Sequence, residues 1–209
     1  MPILSFAKTQ EWDEFNSSLC IEVTRPTGLF TCTGVAVSDE VIVTAAHCLD
    51  GEILKVRVFT ESSYNTHNKS LSIKKYQIHP SYKSQTSRYK SDLAKIYLDH
   101  KLPSKIKILP IFKGTAVSGD IYRFGFGARN KKNLRTVITP KFKKMDVENS
   151  IIELNDTFSY SGDSGGPIYL KQDQATYVLA IHSTLSFGPE GKFSYNPLLN
   201  SYQNWIFEN

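Results

Sequence analysis

Short runs of β-branched and aromatic residues, each closed by turn residues, limit what this chain can become. They fall at 19–24, 30–37, 41–44, 54–60, 94–98, 121–126, 136–139, 150–154, 167–170 and 176–182. Side chains branched at Cβ fit the pleated surface of a strand and lose rotamer freedom in a helix. Turn residues punctuate the runs: Arg25-Pro-Thr-Gly28, Ser38-Asp-Glu40, Asp50-Gly51, Gly125-Phe-Gly127 and Gly188-Pro-Glu-Gly191. Many short strands at this spacing predict an all-β antiparallel barrel or sandwich and argue against βαβ units. Two stretches read as helical. One is the turn Ala-Ala-His-Cys after Thr44. The other is 197–207, where Leu198, Leu199, Tyr202, Trp205 and Ile206 recur at about helical spacing. No internal repeat of solenoid or propeller length is evident.

A chain of 209 residues is long enough to bury a real core without staples. Apolar residues at 40% and charged residues at 22% describe a globular chain, not a disordered one. No apolar run approaches the ~20 residues needed to span a bilayer. The opening Met-Pro-Ile-Leu-Ser-Phe-Ala-Lys-Thr-Gln-Glu-Trp lacks a basic patch followed by an apolar core, so no signal peptide is expected in it. The net charge of +5 bears on solubility and on the pull toward acidic partners. The richest basic stretches, 129–135 and 141–144, have no aromatic-interleaved RNA motif or recognition helix beside them. They are expected to be solvated loops, and no nucleic-acid partner is expected. Three cysteines without CxxC spacing make neither a disulfide scaffold nor a zinc site, and at least one stays unpaired within the chain.

Three segments carry chemistry together: Val41-Ile-Val-Thr-Ala-Ala-His47-Cys48, Ser91-Asp92-Leu-Ala-Lys-Ile-Tyr-Leu98, and Ser159-Tyr-Ser-Gly162-Asp163-Ser164-Gly165-Gly166-Pro167. Alone, each has an ordinary structural explanation as a strand-end histidine, a turn aspartate or a tight glycine turn. In the order His, Asp, Ser they point to one machine. A serine hydroxyl is a poor nucleophile at neutral pH and needs a base within hydrogen-bond reach. Histidine titrates near that pH, and a buried aspartate fixes its tautomer and steadies the imidazolium. The candidate catalytic residues are therefore His47, Asp92 and Ser164. Glycines around Ser164 let the backbone turn so that the N–H groups of Gly162 and Ser164 aim at one spot, an oxyanion hole.

The sequence here resembles the trypsin-like, chymotrypsin-fold serine peptidases. Thr44-Ala-Ala-His47-Cys48 and Gly162-Asp-Ser-Gly-Gly-Pro167 look like that family's two signature segments, and the 45 residues from His47 to Asp92 match its spacing. His79-Pro-Ser-Tyr82, Gly125-Phe-Gly127 and Asn204-Trp-Ile206 look like further landmarks. The resemblance implies two antiparallel six-stranded β-barrels packed at right angles with a C-terminal helix. It implies a single peptidase domain over 1–209, with the first barrel at about 15–112, the second at about 113–209, and the crossing at 113–120. It also implies a Cys32–Cys48 disulfide around the histidine, leaving Cys20 buried and inert. That bridge argues for a secreted or periplasmic protein. The activity implied is that of a serine endopeptidase working through an acyl-enzyme without cofactor or metal. Its partners are protein or peptide substrates. It has no membrane span, acts as a monomer, and is a target for a prodomain or inhibitor.

Val23-Thr-Arg-Pro-Thr-Gly-Leu-Phe30 and Ala180-Ile-His182-Ser183 are similar to the bacterial glutamyl-endopeptidase branch of the family. Aligned on Ser164, the pocket base falls at Phe158 and Ser159, with no aspartate where trypsin relatives keep one. His182 would line the wall, and Ser159 and Ser161 would add hydroxyls. The residue before the cut is then expected to be Glu, or second Gln. Ser183, Thr184 and Leu185 would form an edge strand that pairs with the substrate backbone, and Ser183 would also bond Asp92. Asp163 resembles the residue that receives a freed N-terminal amine, yet Met1-Pro2-Ile3-Leu4 does not match the family's Ile-Val-Gly-Gly. Activity is expected to be low while Met1 is retained if that amine is required.

Three other classes were weighed. An α/β-hydrolase needs the order Ser, acid, His and room for helices after Ser164, which this chain lacks. A metallopeptidase is disfavoured because His47, His67, His79, His100 and His182 show no HExxH spacing. A catalytically inactive peptidase fold serving binding or adhesion remains the alternative, though such proteins usually lose a triad member and this chain keeps all three.

Overall fold

The first half of the chain is one antiparallel sheet closed on itself. The computed structural model describes residues 15–61, 69–83, 90–127, 135–189 and 191–208. Met1-Pro2-Ile3-Leu4, His67 and residues 129–134 of the first basic stretch lie outside that set. Strands β1 (Ser18–Arg25), β2 (Gly28–Ala36), β3 (Val41–Thr44), β4 (Lys55–Phe59), β5 (Ile73–Ile78) and β6 (Ala94–Leu98) lie in the order β4-β1-β2-β3-β6-β5. The two edges meet where the Leu71 N–H, just before β5, donates to the Val58 carbonyl of β4 at 2.8 Å. A sheet joined edge to edge in this way is a barrel.

The second half has eight strand segments among the described residues. They are β7 (Asp120–Gly125), β8 (Thr136–Ile138), β9 (Lys141–Asp146), β10 (Ile151–Asn155), β11 (Pro167–Gln172), β12 (Ala175–Ile181), β13 (Thr184–Gly188) and β14 (Gly191–Pro197). They form two four-stranded sheets, β12-β11-β7-β8 and β13-β14-β10-β9, joined by a bridge between Ala180 and Leu198. Six strands with two breaks account for the eight segments. β8 and β9 part at Thr139-Pro140, where proline has no N–H for the ladder. β12 and β13 part at His182-Ser183, whose backbone turns toward the site described below.

Alternation along the strands sorts the side chains into three cores. Leu19, Ile21, Val23, Ile42, Val58, Ala94, Ile96 and Leu98 fill the first barrel. Ile121, Ile152, Leu154, Ile168, Leu170 and Leu179 fill the second. The opposite faces of β2, β3, β7, β11 and β12 supply Val35, Val43, Phe124, Tyr169, Val178 and Ile181 to a third core between the halves. The site therefore rests on a packed apolar seam, where small displacements are resisted.

Among the described residues two helices complete the fold: α1 (Ala46–Leu49) and, after a 3-10 turn at Leu199–Tyr202, α2 (Gln203–Phe207). The helix expected over 197–207 starts later, because Pro197 is still paired with Ile151 and Leu198 with Ala180. Among the described residues no helix is long and apolar enough to cross a membrane. The runs read from the sequence include none of β5, β9 and β14. Lys74, Lys75, Tyr76 and Gln77 of β5 and Lys141 to Lys144 of β9 face solvent, so neither shows an apolar alternation. The second basic stretch is thus an exposed strand and not a loop. Arg135, expected in a solvated loop, is buried and donates through Nη1 to Asn16 Oδ1 at 2.9 Å and Ser18 Oγ at 3.4 Å.

Candidate active site

β3 ends at Thr44 and α1 lifts His47 to the surface, with its side chain 38% exposed. Cys32 of β2 is bonded to Cys48 of α1, with their Cα atoms 6.3 Å apart. Arg25 of β1 donates to the Cys48 carbonyl at 3.0 Å, so strand and disulfide both anchor the short helix at Cys48.

Asp92 is fully buried ahead of β6. Its Oδ1 accepts the His47 backbone N–H at 2.9 Å. Its Oδ2 lies 2.7 Å from His47 Nδ1 and accepts the Ser183 hydroxyl at 2.5 Å. A carboxylate only accepts, so His47 Nδ1 carries the proton and Nε2 is left as an acceptor. Ser91, beside it, has φ 54°, a left-handed conformation costly for serine. Tyr202, next to α2, holds Ser91 there through hydroxyl contacts at 3.2 and 3.3 Å.

Ser164 is half-buried on the loop ahead of β11. The first barrel grips that loop. Thr33 of β2 donates its N–H to the Ser164 carbonyl at 2.8 Å and its hydroxyl to the Gly162 carbonyl at 2.8 Å. Cys48 Sγ lies 3.8 Å from the Ser164 carbonyl. On the other side the Gly165 N–H donates to the His182 carbonyl and the His182 N–H to the Gly166 carbonyl, both at 2.8 Å. Gly165 has no substitute here. Its φ is +80°, and a Cβ would sit 2.1 Å from Thr44 Oγ1. The N–H groups of Asp163, Gly165 and Gly166 are spent inside the fold. Those of Gly162 and Ser164 donate to no group among the described residues.

Behind the loop lies a buried charged network that the sequence did not reveal. Arg123 of β7 is fully buried and binds Asp156 twice, Nε to Oδ2 at 2.7 Å and Nη2 to Oδ1 at 2.9 Å. Its Nη1 stands 2.9 Å from Asp163 Oδ2, an ion pair by distance and not an aligned hydrogen bond. Asp163 also accepts the N–H groups of Gly127 and Tyr160, at 2.9 and 3.0 Å. Its carboxylate lies so close to Gly125 that a Cβ there would sit 2.1 Å from Oδ1, which explains one glycine of the Gly125-Phe-Gly127 landmark. Burial opposes the charge of Asp156, but Arg123 and then His182 hold its carboxyl below the usual range.

His182 is buried between the network and the segment before Ser164. Its Nε2 is 2.7 Å from Ser159 Oγ, its Nδ1 is 3.2 Å from Asn196 Oδ1, and Asp156 Oδ2 lies 3.7 Å from Nδ1. Burial, and next the Arg123 charge, push this imidazole down to about 4, against the pull of Asp156 and Asp163. Ser159 is buried, Phe158 half-buried and Ser161 exposed. Thr184 and Leu185 open β13, an outer strand of its sheet. Cys20 is buried with Phe59 and Phe126. Among the described residues no group of three or more His, Cys, Asp or Glu forms a metal-ligand set.

A family model described as Trypsin matches residues 10–206. Hypodermin-A of Hypoderma lineatum is 41% identical over 86 residues, which cover 40% of this chain and 34% of that protein. CLIP domain-containing serine protease B4 of Anopheles gambiae is 25% identical over 247 residues, covering 94% of this chain and 67% of that protein. The match thus spans about a third of Hypodermin-A. Both relatives are insect proteins, and neither is named a glutamyl endopeptidase.

Proposed function

We propose that this chain, which belongs to the trypsin family, is a serine endopeptidase with His47, Asp92 and Ser164 as its catalytic residues. One observation carries the reading. His47 is oriented at 2.7 Å by a fully buried Asp92, while the loop bearing Ser164 is hydrogen-bonded to the same barrel. In this reading His47 Nε2 takes the Ser164 proton as Oγ attacks the scissile carbonyl. The spare N–H groups of Gly162 and Ser164 receive the oxyanion, and each such donor is worth about 3–4 kcal/mol. His47 then passes the proton to the leaving amine, and water releases the acyl group. Ser183 shares Asp92 and acts as a positioning residue. β13 offers its outer edge, with Thr184 and Leu185, to the substrate backbone.

For the residue before the cut we keep glutamate, with glutamine as its competitor. Phe158, Ser159, Ser161 and His182 are taken as the pocket's lining. The chemistry of the Ser159–His182 pair supports a polar ligand there, and the absence of an aspartate at 158 disfavours a basic one. The disulfide fits action in an oxidising compartment.

A serine-directed phosphonate tests the activity. The expected result is stoichiometric labelling at Ser164, abolished in Ser164→Ala. No labelling of correctly processed protein would overturn the enzyme reading and favour a binding role. A peptide library in which Glu and Gln before the cut fare no better than other residues would overturn the pocket.

A further inference from the structure

The hydrogen bonds around His182 define which way its proton points. Two backbone groups orient the Asn196 amide: Ser183 N–H donates to Oδ1 at 3.4 Å, and Nδ2 donates to the Ile152 carbonyl at 3.1 Å. Oδ1 is therefore an acceptor, and His182 Nδ1 must carry the hydrogen that meets it. In a neutral ring Nε2 is then an acceptor, and the single hydroxyl hydrogen of Ser159 is spent on it at 2.7 Å. Ser159 Oγ is left with lone pairs alone. A glutamine carboxamide, which brings N–H donors, suits that oxygen. A glutamate carboxylate, which brings only acceptors, does not.

We propose that the pocket reads an acidic side chain by taking up one proton from solvent, which turns His182 from acceptor to donor and frees the Ser159 hydroxyl to point at the bound carboxylate. The proposal rests on the pocket reading given above. Its atoms balance: one proton enters at His182 Nε2, that N–H donates to Ser159 Oγ, and the Ser159 O–H donates to the ligand. The charged groups that face the ring are Asp156 just after β10, Arg123 from β7 and Asp163 from the Ser164 loop. Asp156, 3.7 Å from Nδ1, is placed to steady the imidazolium. The low proton affinity of the ring at rest, about 4, fits an uptake driven by the ligand's charge.

The test compares kcat/KM for two peptides that differ only in Glu or Gln before the cut, from pH 5 to 8. Any ionisation that affects both peptides alike cancels in the ratio, and the glutamate itself is ionised across this range. The Glu-to-Gln ratio is expected to fall about tenfold per pH unit as pH rises, because kcat/KM reports the free enzyme's protonation. A flat ratio, with both peptides still preferred over others, overturns proton uptake and leaves the pocket standing. No preference for either peptide overturns the pocket and the proposal with it. His182→Gln and Ser159→Ala, counted by active-site titration, locate the proton. Both should flatten the ratio, since the first cannot titrate and the second cannot relay. A tenfold slope kept in His182→Gln places the proton on the ligand carboxyl and overturns the proposal.

Discussion

Arg123→Met removes the one guanidinium that faces both buried carboxylates and keeps most of its volume. In the wild type Arg123 binds Asp156 in two places and stands 2.9 Å from Asp163. All three side chains are fully buried. Breaking a buried ion pair by removing one partner costs about 3–5 kcal/mol, because the other charge stays behind unmatched. Against a total stability of about 5–15 kcal/mol that is a large share. At about 2–4 °C per kcal/mol for a chain of this size, the melting temperature should fall by about 6–20 °C. Asp163 precedes Ser164, so the spare N–H groups lose their alignment and kcat should drop by about 10² or more. Thermal unfolding by circular dichroism and kcat on a peptide substrate read the two effects. A melting temperature within about 2 °C and kcat within about twofold of wild type would refute the reasoning. If Arg123 supplies the positive charge that Asp163 needs, chains with and without Met1 should also be equally active.

The pH dependence of that loss has a definite sign. The Asp156 carboxyl is depressed in the folded protein, so its contribution is present above the unfolded value of about 3.9 and is lost as pH falls through the folded one. Without Arg123, burial dominates and raises the carboxyl instead. A raised carboxyl binds its proton more readily when folded, so acid relieves the variant. The gap in melting temperature between wild type and Arg123→Met should therefore narrow from pH 7 to pH 4.

Thr33→Val keeps the shape of a side chain that bonds the Gly162 carbonyl at 2.8 Å and the Phe126 N–H at 3.0 Å, and should lower kcat at least tenfold; unchanged kcat would sink the idea that the first barrel sets the Ser164 loop. Lys95→Met removes a buried ammonium that donates to the Trp205 and Glu208 carbonyls at 2.6 and 3.0 Å. It should cost about 2 kcal/mol and speed amide exchange in α2, and exchange at the wild-type rate there would count against the clamp. Replacing Cys32 and Cys48 together by Ala should cost about 3 kcal/mol, seen as a lower urea midpoint at constant slope. An unmoved midpoint contradicts it.

The strands that were legible in the sequence bury at least one face. β3 and β6 were found to the residue, because Val41, Val43, Ile42 and Ile96 feed two different cores, and Lys95 is the one charged position in either run. β5 and β9 were missed because their lysines face water, so only the pairing partner makes them strands, whereas β14 buries Phe193, Ser194, Asn196 and Pro197 yet carries too few apolar residues to read as a strand. The C-terminal apolar spacing was read as one helix, yet it mixes periods. Leu198 serves the second barrel, whereas Leu199 and Ile206 serve the seam.

The proposed triad was legible for a different reason. His47 and Ser164 each sit inside a local constraint: a disulfide-tied helix, and glycines forced by contacts too close for a Cβ. Local constraints write themselves into adjacent letters. The side chains of Thr33, Arg123 and Asp156 act through partners 26 or more positions away, and Asn196 joins its near neighbours His182, Ser183 and Ser194 to Ile152, 44 positions back; 129 positions separate Thr33 from Gly162, and 33 separate Arg123 from Asp156. Each is an ordinary residue type in an ordinary strand or turn. One signal was present: Asp156 and Asp163 flank a segment otherwise free of acidic residues, and two carboxylates entering an apolar interior require a cation. Arg123, within the apolar run 121–126, is the residue whose burial that requirement predicts. The chemistry proposed at Ser164 is thus announced locally, while the geometry of its loop is held by charges the folded chain must first bring together.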